Sequence, residues 1–225
     1  MLTLLKKDFI TSKKMLIFLN LISAVILGFI TIKANISEVS SIFYAIATMI
    51  IPFVANKAGA AEELKKHYDS LINSFPIKRK DVVISKYLYY LLLYVVSTVF
   101  LGAVVFILGK YDMEKISFAI LIQSMVFIYF VLLTGVTNYI YYRFDYNVAT
   151  KYGPIIIIVI IYLPILIYKL LSIIKPDFID TVLVSMLGEN FVQYKLPIII
   201  FAVGLVIYFI LMFFSIKRYK QKDLD

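Results

Sequence analysis

The stretch YLYYLLLYVVSTVFLGAVVFIL, residues 87–108, carries no charge over its whole length. A helix needs roughly 20 mainly apolar residues to cross about 30 Å of hydrocarbon, so this run can span a bilayer. Its apolar side chains do not alternate with polar ones, which excludes the strand of a membrane barrel. What remains is a helix whose backbone hydrogen bonds close within the segment. Five more runs of the same kind lie around it, at residues 15–32, 40–55, 116–140, 154–171 and 197–216. The run at 40–55 is short and holds Pro52. Composition agrees: 62% of the residues are hydrophobic and the mean hydropathy is +0.93, where soluble domains are roughly 45–50% apolar. The expected fold is an all-α polytopic membrane protein, one transmembrane domain over residues 1–225 with six transmembrane helices. The first run follows a basic segment, as the core of a signal peptide would. It is too long for one and lacks a small-x-small cleavage site, so it reads as an uncleaved span.

With six spans both chain ends share a side, and lysine and arginine decide which. Seventeen of the 23 fall at the N-terminus, in the connections after spans two and four, and in the tail, against six in the other three connections. The positive-inside rule therefore makes both termini cytoplasmic. The whole net charge of +9 belongs to that side, so topology explains the basicity and no nucleic-acid partner is needed. Anionic headgroups of the lipid bilayer are its natural neighbours. With 18 tyrosines and no tryptophan, Tyr87, Tyr89, Tyr90, Tyr139, Tyr141 and Tyr142 are the expected interfacial anchors.

Several kinds of chemistry are excluded. No cysteine and a single histidine, His67, leave no thiolate or histidine cluster for a metal. There is no phosphate loop of the G-x-x-x-x-G-K-[ST] type, no H-E-x-x-H and no G-x-S-x-G, so no catalytic residue is nominated and no cofactor is expected on this chain. An ion-coupled carrier keeps ionisable groups deep in its spans because each is expensive there, and none lies centrally here. The polar residues inside the spans are neutral: Asn20, Ser23, Gln123, Thr134 and Asn138. Asn20, Gln123 and Asn138 either line a substrate path or hydrogen-bond between helices, and the second reading is the favoured one.

The densest charge cluster is EELKKHYDSLINSFPIKRKDVVISKY, residues 62–87. Leu64, Tyr68, Leu71 and Ile72 recur at i, i+4, i+7 and i+8, one stripe of an amphipathic helix. Glu62 and Glu63 lie at its N-terminal end, where the helix dipole favours acids. Pro76 stops it, because the residue before a proline, Phe75, is pushed out of helical geometry. Asp81 is placed to cap a new helix leading into the third span. From the residues alone two readings stand: a helix resting its stripe on lipid, or one inserting that stripe into a groove on a cytoplasmic partner.

The pattern Glu63, Leu71, Ser74, Phe75, Pro76, Ile77, Arg79, Ile84 and Lys86 resembles the coupling segment of bacterial type-2 permeases of ATP-binding-cassette (ABC) exporters, with Lys78 departing where serine or threonine is usual. Size and six-span layout extend the likeness over the whole chain, which looks most like small permeases of peptide export or immunity, including exporters of phenol-soluble modulins. The resemblance implies a multi-pass subunit of the bacterial cytoplasmic membrane. Its coupling segment, 62–86, would meet a separate ABC ATPase through Glu62, Glu63, Leu64, Tyr68, Leu71, Ile72, Phe75, Pro76 and Arg79. A smaller contact would come from Arg143 and Asp145. ATP and Mg would bind that ATPase, and a second permease subunit, identical or different, would complete the pathway. Leu2, Leu4, Leu5 and Phe9 with Lys6 and Lys7 would form an interfacial helix before span one, and an outer amphipathic segment would occupy 177–189. The implied function is export of an amphipathic or hydrophobic cargo, a membrane-active peptide first. The alternative is a non-transporting scaffold or sensor that recruits a cytoplasmic partner.

Overall fold

The computed structural model describes residues 2–34, 37–65, 78–108, 113–144 and 195–221, with four further helical positions at Tyr152, Ile155, Val159 and Tyr162. The described residues contain five long helices and no strand: α1 (Leu2–Ala34), α2 (Ser37–Lys65), α3 (Arg79–Leu108), α4 (Met113–Arg143) and α5 (Leu196–Gln221). Even the shortest, at 26 residues, extends about 39 Å at 1.5 Å per residue. Four contain segments long and apolar enough to cross a bilayer: Leu2–Ile32, Arg79–Leu108, Ile116–Arg143 and Leu196–Gln221. α2 contributes a shorter apolar segment, Val39–Ala55. The protein is an all-α polytopic membrane protein. The expected span at 154–171, apart from Ile155, Val159 and Tyr162, and the outer segment at 177–189 lie outside the described residues.

α3 is buried on two faces. One stripe, Ser85, Tyr89, Leu93, Ser97, Leu101 and Val105, repeats every fourth residue, and three of its members pack with Leu16, Ala47, Ile51 and Ala55 of α1 and α2. The other, Val83, Tyr87, Tyr90 and Tyr94, packs with Phe127, Phe130, Val131 and Tyr142 of α4 and Tyr208 of α5. The first helix answers with its own stripe of every fourth residue: Leu4, Asp8, Ser12, Leu16 and Asn20 are all buried. Leu2, Ile17, Val25, Phe29 and Ile32 face outward, as lipid-facing side chains should.

The pairings fix the direction of each helix. Asp8, Ser12 and Asn20 meet Lys86, Tyr89 and Ser97 in order, so α1 and α3 run parallel. Tyr87 meets Gly135 while Tyr94 and Thr98 meet Gln123, so α4 runs against α3. Phe127 stacks on Phe201 and Tyr142 on Tyr219, so α4 and α5 run parallel. Consequently α1 and α3 begin, and α4 and α5 end, at one end of the bundle, whereas α5 begins at the other. Exposed Lys6, Lys13, Lys14, Lys80, Arg143, Lys217, Arg218 and Lys220 all belong to that first, basic end.

α1 is unbroken from Leu2 to Ala34, so the N-terminal residues lead into the first span as one helix: no proline interrupts it and its buried stripe continues through Asp8 and Ser12. Two local expectations are corrected. Tyr87, Tyr89, Tyr90 and Tyr142 face the bundle interior, each at most 6% exposed, and not the lipid interface. The start of α3 precedes the expected cap: the Lys78 carbonyl accepts from the Asp81 and Val82 amides at 2.8 and 3.4 Å, so Asp81 stands inside the first turn, where its charge still favours the dipole.

In lipid, helices gain nothing from hiding apolar surface from one another, so close packing and polar pairs must hold them. The α4–α5 interface shows the packing device in reciprocal form: Gly135 accepts Leu211, and Gly204 accepts the ring of Phe127. A Cβ at Gly204 would stand 2.9 Å from two atoms of that ring, which is itself held against Tyr94 and Phe201. At Gly102 a Cβ would meet only the far end of Tyr44, its hydroxyl, at 3.2 Å. Gly204→Val is expected to destabilise the protein by about 1–3 kcal/mol, the usual range for overpacking, and Gly102→Ala by less. Thermal unfolding in detergent reads both.

Candidate functional site

The basic end is where α3 begins and where its neighbours are tied to it. Lys86 Nζ lies 3.1 Å from Asp8 Oδ1, and Lys7 Nζ lies 3.5 Å from the same oxygen. Asp8 is 3% exposed, so this carboxylate persists in the interface because cations neutralise it. Ser12 donates to the Asp8 carbonyl at 3.1 Å, and its hydroxyl also bonds the Tyr89 hydroxyl. On the other flank Arg79 Nη1 donates to the carbonyls of Tyr219 and Lys220, both at 3.3 Å, with its guanidinium 5.9 Å from the Tyr219 ring centre. Those carbonyls end α5 and have no intrahelical donor, so a cation there caps the helix and complements its dipole. Tyr219 in turn stacks on Tyr142 at 5.0 Å.

Two polar nodes lie deeper. Tyr87 donates to the Gly135 carbonyl at 3.0 Å and shares a 2.8 Å bond with Ser215, while Tyr208 donates to the Tyr87 carbonyl at 2.7 Å. One tyrosine thus joins α3, α4 and α5. Further along, Gln123 Nε2 donates to Tyr94 at 2.7 Å and to Thr48 at 2.9 Å, and Tyr44 donates to the Thr98 carbonyl at 3.1 Å. This node joins α2, α3 and α4. Pro52 lacks an amide hydrogen, so it leaves the Thr48 carbonyl without its usual helical donor one turn before.

The sequence-nominated residues divide accordingly. Glu62, Glu63 and Leu64 belong to the last turns of α2, which runs on from Ser37 through Pro52 to Lys65 without a break. Tyr68, Leu71, Ile72, Phe75, Pro76 and Asp145 lie outside the described residues. Arg79 is committed to the end of α5. Arg143 donates to Tyr139 at 3.3 Å and lies 5.0 Å from the ring centre of its neighbour Phe144, remaining exposed. Asn20, Gln123 and Asn138 are all buried, but not alike. Gln123 is engaged as above. Asn20 donates to Leu16 O and to Ser97 with its Oδ1 unpartnered, and Asn138 has an unpartnered Nδ2. The sequence reading missed Asp8, Ser12 and Tyr89. The signal for Asp8 and Ser12 was their place on a stripe of every fourth residue, Leu4, Asp8, Ser12, Leu16 and Asn20, continuous with the first span; Tyr89 was read as an interfacial anchor.

A bundle of apolar helices with one strongly basic end and neutral polar nodes within defines a multi-pass membrane protein. The family model described as ABC-2 family transporter protein matches residues 3–220, and the chain belongs to that family: it is a membrane permease of an ABC transporter. Comparison with curated proteins and with solved structures gives no match.

The nodes predict unequal consequences for two of the three amides. Gln123→Leu removes two short interhelical bonds, each worth about 0.6–1.7 kcal/mol in a bilayer, and is expected to lower stability by about 1–2 kcal/mol. Asn138→Leu removes an amide with a donor already unpartnered and is expected to change stability by about 0.5 kcal/mol or less. Detergent unfolding of the two variants side by side checks the order.

Proposed function

We propose that this permease is the export subunit of a bacterial ABC transporter that draws its energy from a separate cytoplasmic ATPase, on which ATP and Mg are bound and hydrolysed. What carries the reading is family membership over residues 3–220 together with the gathering of charge at one end of the bundle. That end is the cytoplasmic one by the positive-inside rule. Six crossings belong to this reading: α4 and α5 both run toward the basic end, and the apolar run at 154–171 is long enough to return the chain between them.

In this reading the 62–86 segment carries the ATPase contact through its residues from Glu62 to Arg79, while Lys86 at its end is turned to Asp8 within the bundle. It leaves the membrane on α2, a helix continuous through Glu62, Glu63 and Leu64, and rejoins the bundle at Arg79. The stripe Leu64, Tyr68, Leu71 and Ile72, with Phe75 beyond it, docks the ATPase, Pro76 turns the chain, and Arg143 with Asp145 adds a smaller contact. A second permease subunit completes the pathway. The cargo is amphipathic or hydrophobic, a membrane-active peptide first, because no ionisable group lies deep in the spans to recognise an ion. Asn20 and Asn138 remain the candidates to meet cargo, since each keeps an unpartnered polar atom.

The test has two steps: whether a neighbouring reading frame encodes a phosphate-loop ATPase, and capture of that ATPase by the tagged full-length permease in detergent. The wild type is expected to retain it in about stoichiometric amount, and the double variant Tyr68→Ala, Leu71→Asp is expected to insert normally and lose at least nine-tenths of it. Equal capture by both would remove the docking stripe from the account. No capture by a folded wild type would favour the scaffold reading.

A further inference from the structure

Two charged contacts hold the first turns of α3, and they go to different helices. Arg79 reaches the last carbonyls of α5, and Lys86 reaches Asp8 of α1. The contact to α1 is the first of three in constant register. Asp8 pairs with Lys86, Ser12 with Tyr89 one turn further in, and Asn20 with Ser97, at 3.3 Å, two turns beyond that. α1 therefore cannot slide along α3 or rotate against it without separating a buried carboxylate from its cation and two hydroxyl or amide pairs together. An apolar pair of similar volume would often hold two helices as firmly as an ion pair, but it would tolerate many registers. A buried charge tolerates the one in which it is neutralised. Lys7 approaches the same oxygen from within α1. It can soften the loss of Lys86, but it cannot link α1 to α3.

We propose that Asp8 and Lys86 are positioning residues which oblige α1 to follow α3 when the ATPase changes nucleotide state. The proposal rests on the ATPase-driven reading above. α3 is where the 62–86 segment rejoins the bundle, so displacement arriving there divides: Arg79 passes it to the end of α5, and Lys86 passes it to α1. Without the pair, α3 still moves and α5 still follows, but α1, held by Ser12–Tyr89, Asn20–Ser97 and apolar packing alone, follows less.

The cysteine-free chain allows a direct test. Cysteines introduced at exposed Lys13 of α1 and Lys217 of α5 carry spin labels. The distance between them is measured in the full permease–ATPase complex, in vesicles of phosphatidylethanolamine and phosphatidylglycerol, with ADP and with ATP plus vanadate. The parent is expected to keep this distance nearly constant between the two states, because α1 and α5 both follow α3. Asp8→Leu with Lys86→Met, an apolar replacement, is expected to keep the ATPase bound and the unfolding temperature close to that of the parent while the distance changes with nucleotide. Lys86→Arg, which keeps the charge, is expected to behave as the parent. An apolar variant whose distance is as constant as the parent's overturns the proposal, as does a parent whose distance changes as much as the apolar variant's. Failure of the parent to bind the ATPase overturns the ATPase-driven reading first, and capture scores that separately. Should the apolar pair not fold, Lys86→Met alone serves the same comparison, with the same outcomes deciding.

Discussion

α3 is packed on both sides, and the constraint this imposes runs through the whole molecule. A helix in lipid can present one face to its neighbours and the rest to acyl chains, as α1 and α5 do with Phe29, Val206 and Phe213 turned outward. α3 instead carries two stripes offset around its axis. The one built on Ser85, Tyr89, Leu93 and Ser97 meets α1 and α2, and the one built on Val83, Tyr87, Tyr90 and Tyr94 meets α4 and α5. The two halves of the bundle are joined both through it and directly, where α2 packs along α4 and Thr48 meets Gln123. Any movement imposed on α3 is thereby shared between them.

The choice of residues on those stripes follows from the solvent. Apolar contact between helices has little advantage over apolar contact with lipid, so register is held by glycines that admit a neighbour's side chain and by hydroxyl and amide groups that need a partner. Tyrosine serves well here, because it supplies ring area and a hydroxyl together. Tyr87 is the clearest case: its ring packs on Tyr208 at 5.1 Å while its hydroxyl reaches both α4 and α5. Among the described residues the buried charge lies near the basic end, where Asp8 is neutralised by Lys86 and Lys7.

Most of this architecture was legible in the sequence, and the exceptions have physical causes. Uninterrupted apolar runs such as 87–108 announce spans because a bilayer demands length and tolerates little charge. Lysine and arginine announce one basic end of the bundle because they are counted, not packed. Facing is harder to read: in so apolar a helix lipid-facing and helix-facing residues differ little, so Tyr89 and Tyr142 looked like interfacial anchors and proved to be core. Asp8 was hidden for the opposite reason, since a lone carboxylate among lysines reads as one more surface charge until its partner 78 residues away is brought beside it. Gln123 fell on the favoured side of its two readings, as a bond between helices, because three helices converge where it stands.

The account depends above all on orientation: the basic end must face the cytoplasm, and the chain must return between α4 and α5. Single cysteines at Lys13, Lys217 and Lys195 in the cysteine-free chain, exposed to a membrane-impermeant maleimide on intact cells, test this directly. Lys195, at the start of α5, is expected to label from outside, and Lys13 and Lys217 only after the membrane is opened. Labelling of Lys217 in intact cells with Lys195 protected would invert the bundle, put its charged end out of reach of any ATPase and contradict the account.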